Sequence, residues 1–266
     1  MAIRVCVSGA TGWTGSAVTR RILTSGEFEL TGAIARRQAG RDIGEVLGLP
    51  NAGVGIVSTL EEALRSQTDV LIDYTKPDTV KTRTLEALGR GVRVVIGTSG
   101  LTEEDFTDIA LKAQESDLGV IAAGNFSITA ALAKHCALLA ARYLPSWEVI
   151  DYAHANKPDA PSGTTRELAE ELGKVAKNKI TFPIDQTHGV KEARGAEIKG
   201  TQVHSVRLPG YVIAFETIFG LPDERLTIRH DAGAGAEPYV AGTLLALREV
   251  MQTTGLVRGL DSLLFR

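Results

Sequence analysis

Short β-branched runs alternate with helix-length stretches through the first half of the chain, and a glycine-rich turn closes the first of those runs. Three β-like runs without intervening helices follow in the second half. Together these predict an α/β protein, a doubly wound parallel sheet joined to a smaller α+β domain. At 266 residues, 44% hydrophobic and 23% charged, the chain can bury such a core and is not of disordered composition.

The strands expected of the parallel sheet are Ile3–Ser8, Leu30–Ala35, Gly55–Val57, Val70–Asp73, Arg93–Ile96 and Gly119–Ala122. Helical segments are expected near Thr14–Ser25, Leu60–Gln67, Thr79–Arg90 and Glu103–Glu115, with Gly26 as the residue that stops the first. After Asn125 the pattern changes. An Ala- and Leu-rich helix, Ile128–Arg142, leads to a strand at Trp147–Tyr152, a loop, and a helix at Thr165–Lys177. The runs Val203–Arg207, Val212–Phe219 and Arg225–Arg229 imply a mixed or antiparallel sheet, and a last helix, Tyr239–Met251, returns to the first domain. The expected division is residues 1–124 with 237–266 for dinucleotide binding, and 125–236 for substrate binding and oligomerisation.

A net charge of −3 offers no basic footprint for nucleic acid or an anionic membrane. Cys6 and Cys136 do not form a metal-spaced cluster, the five histidines are dispersed, and no run reaches membrane-spanning length, so a cytoplasmic protein without a metal is expected.

Two loops carry chemistry. Gly9-Ala10-Thr11-Gly12-Trp13-Thr14-Gly15 follows the first strand and opens the first helix, the context in which glycines admit a pyrophosphate to a helix N-terminus. This gives the sheet its Rossmann-like reading, with Gly9, Thr11, Gly12, Trp13, Thr14 and Gly15 as cofactor residues. Arg36 and Arg37 stand where an NAD-preferring site usually carries a carboxylate, which favours NADPH over NADH, although NADH use stays open and both arginines are also consistent with solvated loop charges. Tyr74 and Thr75, Gly97, Thr98 and Ser99, and Asn125 and Phe126 occupy later loops at strand ends and are expected as further cofactor-binding residues.

The second loop, His154-Ala155-Asn156-Lys157-Pro158-Asp159-Ala160-Pro161-Ser162-Gly163-Thr164, places a cation ahead of a helix start, an arrangement suited to a small anionic substrate. Thr164 with Glu167 reads as a capping box, Asp151 and Asp159 as partners for His154 and Lys157, with Asp159 equally suited to the turn itself, and Glu167, Glu170 and Glu171 as a solvated face. His135 reads as packed or capping and His188 as exposed.

With these residues the chain resembles the dihydrodipicolinate reductase family of lysine and diaminopimelate biosynthesis over almost its whole length, most specifically through Lys157–Thr164. The resemblance implies a homotetramer in which reduced dinucleotide gives a hydride to a cyclic imine-like dicarboxylate. It also implies Lys157 as proton donor or cationic partner of the substrate, His154 as a catalytic and substrate contact, and Ser162, Gly163 and Thr164 as a carboxylate cradle. The chain departs from the family pattern at Ala153, where the first of two adjacent histidines is usual, at Trp13 in place of a frequent arginine, at Thr129-Ala130-Ala131, at Ala214-Phe215, and at Ala232–Ala236, which lacks an arginine. Two other readings therefore stay open: a paralogue reducing another imine or carbonyl, and a non-catalytic NADP-binding sensor.

Overall fold

The computed structural model describes residues 1–265. They separate into two compact units, 1–128 with 236–265, and 129–235.

In chain order the first unit contains β1 (Ile3–Ser8), α1 (Trp13–Leu23), β2 (Phe28–Ile34), the single turn α2 (Ile43–Val46), β3 (Ile56–Val57), the single turn α3 (Leu60–Ala63), β4 (Val70–Asp73), α4 (Pro77–Gly89), β5 (Arg93–Ile96), α5 (Glu103–Glu115) and β6 (Gly119–Ala122). All seven strands of its sheet run parallel, in the order β12-β6-β5-β4-β1-β2-β3, where β12 is Gly255–Arg258. Strands covered on both faces need no polar alternation. Accordingly β4 and β6 are buried at every position, and β1 is buried from Val5 onward. One face packs Cys6, Leu71, Val94 and Val120 against Val80, Ala87 and Leu88 of α4 and Ile109 and Ala113 of α5.

The chain winds outward from β1 through β2 to β3, then crosses back to β4 on the other side of β1. The β1/β4 boundary is therefore the topological switch point, where the carboxyl ends of the strands leave a crevice. The first glycine loop and the Asp73-Tyr74-Thr75 loop leave from these two strands.

The second unit follows α6 (Ile128–Ala141) with β7 (Ser146–Ala153), α7 (Gly163–Val175), β8 (Ala196–Ile198), β9 (Thr201–Arg207), β10 (Ile213–Leu221) and β11 (Glu224–Ala232). Its sheet is mixed, in the order β11-β10-β7-β9-β8, with β7 and β9 parallel and the other pairs antiparallel. Strict alternation along β7 buries Trp147, Val149, Asp151 and Ala153 on one face. That face meets Ala130, Ala133 and Ala137 of α6, whose small side chains permit close approach, and Leu168, Ala169 and Leu172 of α7. Because α7 is the crossover between parallel strands, its N-terminus lies at their carboxyl ends. The chain ends with α8 (Glu237–Val250), β12 and the short α9 (Asp261–Leu264), all within the first unit.

Several local expectations are corrected. The first helix stops at Leu23 with Thr24 as its cap, because backbone bonds to Arg20 and Ile22 already close the last turn, so Gly26 is not its terminator. The expected helix over 60–67 is one turn, Leu60–Ala63, capped by Thr59. The helix expected at Thr165–Lys177 starts two residues earlier, because Ser162 rather than Thr164 is the N-cap, with its hydroxyl accepting from the Thr165 amide. Glu167 takes no part in a capping box here. Glu167 and Glu171 instead flank the Lys134 ammonium of α6 at 2.9 and 3.2 Å, so this side of α7 is an ion-paired interhelix contact.

Candidate active site

In the first unit, glycine is required by close approach rather than by composition. Gly9 has φ +83°, and a Cβ there would lie 2.3 Å from the Tyr74 carbonyl oxygen. A Cβ on Gly15 would lie 2.0 Å from the Gly9 carbonyl oxygen, so the start of α1 is pressed onto the turn. The Gly9 and Ala10 amides donate to the Ile34 carbonyl at the end of β2, and Gly12 donates back to Gly9. Gly12 caps α1 without a side-chain hydrogen bond, and no acidic residue occupies the first turn. The positive end of the helix dipole is thus left to a ligand. These glycine contacts fit a dinucleotide pyrophosphate.

Asp73, fully buried at the end of β4, organises the neighbouring loops. Its Oδ1 accepts the Thr75 amide at 2.9 Å, the Thr75 hydroxyl at 2.5 Å and the Thr98 hydroxyl at 3.0 Å. The Thr75 amide also reaches the Thr98 oxygen at 2.8 Å, and Arg83 touches Thr75 Oγ1 at 3.0 Å and Asp73 Oδ2 at 3.5 Å. A Cβ on Gly97 would lie 2.0 Å from the Tyr74 ring, which in turn meets Phe126 edge-on with centroids 6.2 Å apart. The Thr243 hydroxyl donates to the Tyr239 carbonyl, so it accepts the Tyr74 phenol at 2.6 Å. Burial pushes the Tyr74 phenol well above its ordinary value, and it stays protonated.

The candidate cofactor residues Gly9, Thr11, Gly12, Trp13, Thr14, Gly15, Tyr74, Thr75, Gly97, Thr98, Ser99, Asn125 and Phe126 all lie in loops or helix starts at the carboxyl side of this sheet. The Asn125 side chain accepts the Ser127 amide at 2.8 Å and shapes the turn into α6. Trp13 is 60% exposed and packs edge-on against Tyr239 at 5.6 Å. Arg36 and Arg37 are exposed just beyond β2.

In the second unit the anion loop is built around Asp151, also fully buried. Its carboxylate accepts the Ser162 amide at 3.0 Å, the Ser162 hydroxyl at 2.7 Å, the Thr165 hydroxyl at 2.9 Å and Arg207 Nη2 at 2.6 Å. Burial alone would raise this carboxyl, but the bonds from Ser162, Arg207 and Thr165 outweigh it and hold it below the ordinary aspartate value. Arg207 Nη2 also donates to the Asp159 carbonyl at 2.6 Å, tying β9 to the loop. The expected pairing of Asp151 with His154 or Lys157 does not occur; strand alternation turns its carboxylate inward to the cap of α7. Asp159 is the lysine's partner, 2.8 Å from Nζ, and that ammonium holds its carboxyl below the ordinary range.

The remaining anion-loop residues fall into two groups. Ser162 is 2% exposed, and both its amide and its hydroxyl are committed to Asp151, whereas Gly163 is exposed at the first turn of α7 with Thr164 beside it. His154 is exposed, with its amide on the Val212 carbonyl and its carbonyl accepting from the Lys157 amide. Ala153 is 0% exposed on the same face as Asp151 and pairs in register with Arg207 and Ile213. Arg207, Asp73, Arg83, Tyr239 and Thr243 were not among the site residues expected from sequence, and Asp151 was expected only as a partner of His154 or Lys157. The available signal was an aspartate closing an apolar run within two residues of a candidate ligand loop, as in Leu71-Ile72-Asp73 and Val149-Ile150-Asp151. Nothing local in the sequence points to the two arginines or to the α8 residues.

Nearly the whole length of the chain matches known proteins. Residues 3–126 match the profile for "Dihydrodipicolinate reductase, N-terminus", and residues 126–264 match that for its C-terminus. The chain belongs to the dihydrodipicolinate reductase family. It is 40% identical over 264 residues to a 4-hydroxy-tetrahydrodipicolinate reductase of Desulfitobacterium hafniense, covering 98% of both chains. With the enzyme of that name from Halalkalibacterium halodurans it shares 39% identity, covering 98% of this chain and 99% of the other. A dipicolinate-bound dihydrodipicolinate reductase from Paenisporosarcina sp. TG-14 superposes with a TM-score of 0.87 at 32% identity, covering 98% of this chain and 99% of that one. An amine dehydrogenase from Mycobacterium smegmatis, at TM-score 0.68 and 15% identity, shares the fold.

Proposed function

We propose that the chain is a 4-hydroxy-tetrahydrodipicolinate reductase using NADPH, in which the first unit holds the dinucleotide and the anion loop of the second unit holds the substrate dicarboxylate. The observation that carries this reading is the Asp151-anchored start of α7 with the Lys157 ammonium on the same loop, in a chain whose relatives at about 40% identity bear this name. When bound, the cofactor supplies the hydride. Gly163 and Thr164, at the positive end of the α7 dipole, receive a carboxylate, and His154 contacts the substrate. Lys157 offsets the dicarboxylate charge and delivers the proton from Nζ, with Asp159 fixing the direction of the ammonium. The buried methyl of Ala153 has no proton to give, so this step falls to the other groups of the loop, Lys157 first and His154 beside it.

The test is oxidation of NADPH, followed by absorbance, with freshly generated 4-hydroxy-tetrahydrodipicolinate. The parent is expected to turn over, and Lys157→Ala is expected to lose roughly 10²–10⁴-fold in rate while binding NADPH normally. A parent that oxidises NADPH only with other cyclic imines would transfer the reading to a paralogue, and one silent on all of them to a sensor. Arg36 and Arg37 favour the 2′-phosphate of NADPH, and Arg36→Ala should narrow the preference for NADPH over NADH. A homotetramer is the proposed assembly, supported by half-buried Ile150, Val206 and Ile218 on the face of the second unit's sheet turned away from α6 and α7; light scattering would read its mass. Cytoplasmic location is supported by unpaired Cys6 and Cys136, and no described helix is long and apolar enough to cross a membrane.

A further inference from the structure

Four donors within 3.0 Å converge on one buried carboxylate whose residue touches no expected ligand, and this is more than helix capping requires. Ser162 alone caps α7, through its hydroxyl and the Thr165 amide. Asp151 takes hold of the cap itself. It removes the Ser162 amide and hydroxyl from the set of groups that a ligand could use, and it fixes Ser162 through the Pro161–Ser162 peptide and the side chain, so the Gly163 amide follows from a residue held at two points. Arg207 completes the clamp from β9 by bridging the Asp151 carboxylate to the Asp159 carbonyl, three residues before the cap.

We propose that Asp151, acting with Arg207, is a positioning residue for substrate: it aims the Gly163 amide and the α7 N-terminus at a substrate carboxylate without touching that carboxylate. The inference rests on the anion loop being the substrate site. A carboxylate suits the site because the Ser162 amide and Arg207 can only donate and the Ser162 and Thr165 hydroxyls donate here, with the Ser205 hydroxyl a further donor at 3.5 Å, while an aspartate presents two oxygens and only acceptors. An asparagine of the same shape would turn an NH₂ toward two of them. Ser162 would then rotate, and displacement of the cradle by a fraction of an ångström weakens every interaction aligned through it.

The experiment compares the full-length parent with Asp151→Asn and with the milder Thr165→Val, which deletes one of the four donors. Dipicolinate is the probe for the cradle, NADPH for the nucleotide site, and steady-state kinetics separate KM from kcat. Asp151→Asn is expected to weaken dipicolinate binding and raise substrate KM by about 10- to 100-fold, with NADPH affinity and kcat at saturation within about threefold of the parent. Thr165→Val should shift the same two quantities in the same direction and by less. A role in stability alone would lower Tm without splitting KM from kcat.

Dipicolinate affinity within twofold of the parent in folded Asp151→Asn overturns the proposal; if that variant does not fold, the same result in Thr165→Val overturns it. Should the parent itself not bind dipicolinate, the assignment of the loop to substrate falls. Amide hydrogen exchange over residues 159–166 then decides the positioning role by itself: faster exchange in the variants supports it and unchanged protection overturns it.

Discussion

The tripeptide Ile-Asp-Tyr occurs at 72–74 in the first unit and at 150–152 in the second, and the two copies do different work. In both, the aspartate is fully buried and gathers hydroxyl and amide donors from candidate ligand loops. Asp73 is the last residue of β4, so Tyr74 has left the strand and folds back against Phe126 and Thr243. Asp151 lies two residues short of the end of β7, so alternation sends Tyr152 to the opposite face, where Arg229 stacks on its ring at 4.9 Å. The charges are also balanced differently. Arg83 approaches Asp73 only to 3.5 Å, whereas Arg207 meets Asp151 at 2.6 Å. The first aspartate is held chiefly by neutral donors, and the second is half of a buried ion pair.

The sharpest break of this comparison is removal of each carboxylate. Asp151→Ala leaves Arg207, 16% exposed, without its counter-charge, and loss of one member of such a pair costs about 3–5 kcal/mol. Asp73→Ala takes the shared acceptor from the Thr75 and Thr98 hydroxyls, about 1–3 kcal/mol, while the Thr75 amide keeps Thr98 and Arg83 keeps its bond to Thr79 at 3.1 Å. Urea unfolding of the two variants measures the difference. Equal costs would mean that the ion pair adds nothing beyond its hydrogen bonds.

How far this was legible in the sequence follows from the same residues. The parallel sheet, the glycine turn and the lysine loop are written locally, in apolar runs and in residues without a Cβ where the backbone closes on itself. The helix start after Pro161 was misplaced by two residues because Ser162 and Thr164 are both good N-caps, and the tie is broken by Asp151, eleven residues upstream and on another element. The roles of Arg207 and Arg83 depend on strand register and helix packing, and no local pattern encodes either. The one non-local clue was a charge at the end of an apolar strand, since a buried aspartate has to be satisfied by something.

The next test concerns acid. Because the folded Asp151 carboxyl lies below its unfolded value, ordinarily about 3.9, its contribution is fully present above that pH and is lost as pH falls through the depressed folded value. The stability difference between the parent and Asp151→Asn should therefore be constant from pH 5 to 7 and shrink below about pH 4. A difference that grew on acidification would contradict the ion pair as its source.

The smallest effects separate the glycines at the two helix starts. Gly15→Ala would drive a methyl to 2.0 Å from the Gly9 carbonyl, where the neighbour is backbone and cannot give way cheaply; overpacking of this kind costs about 1–3 kcal/mol and should weaken NADPH binding as the turn opens. Gly163→Ala meets nothing within 4 Å and requires no positive φ. Its effect on stability should stay within about 1 kcal/mol and favour the alanine, the better helix former. The two loops thus use glycine for opposite reasons, one because its own backbone fills the space and the other because the space lies open beside a helix N-terminus. Thermal unfolding checks the stability of Gly163→Ala, and dipicolinate binding checks its function. A stable Gly163→Ala protein that loses dipicolinate would show that the open space is used by the ligand, whereas unchanged binding would leave the aim set by Asp151 as the cradle's only specific requirement at this turn.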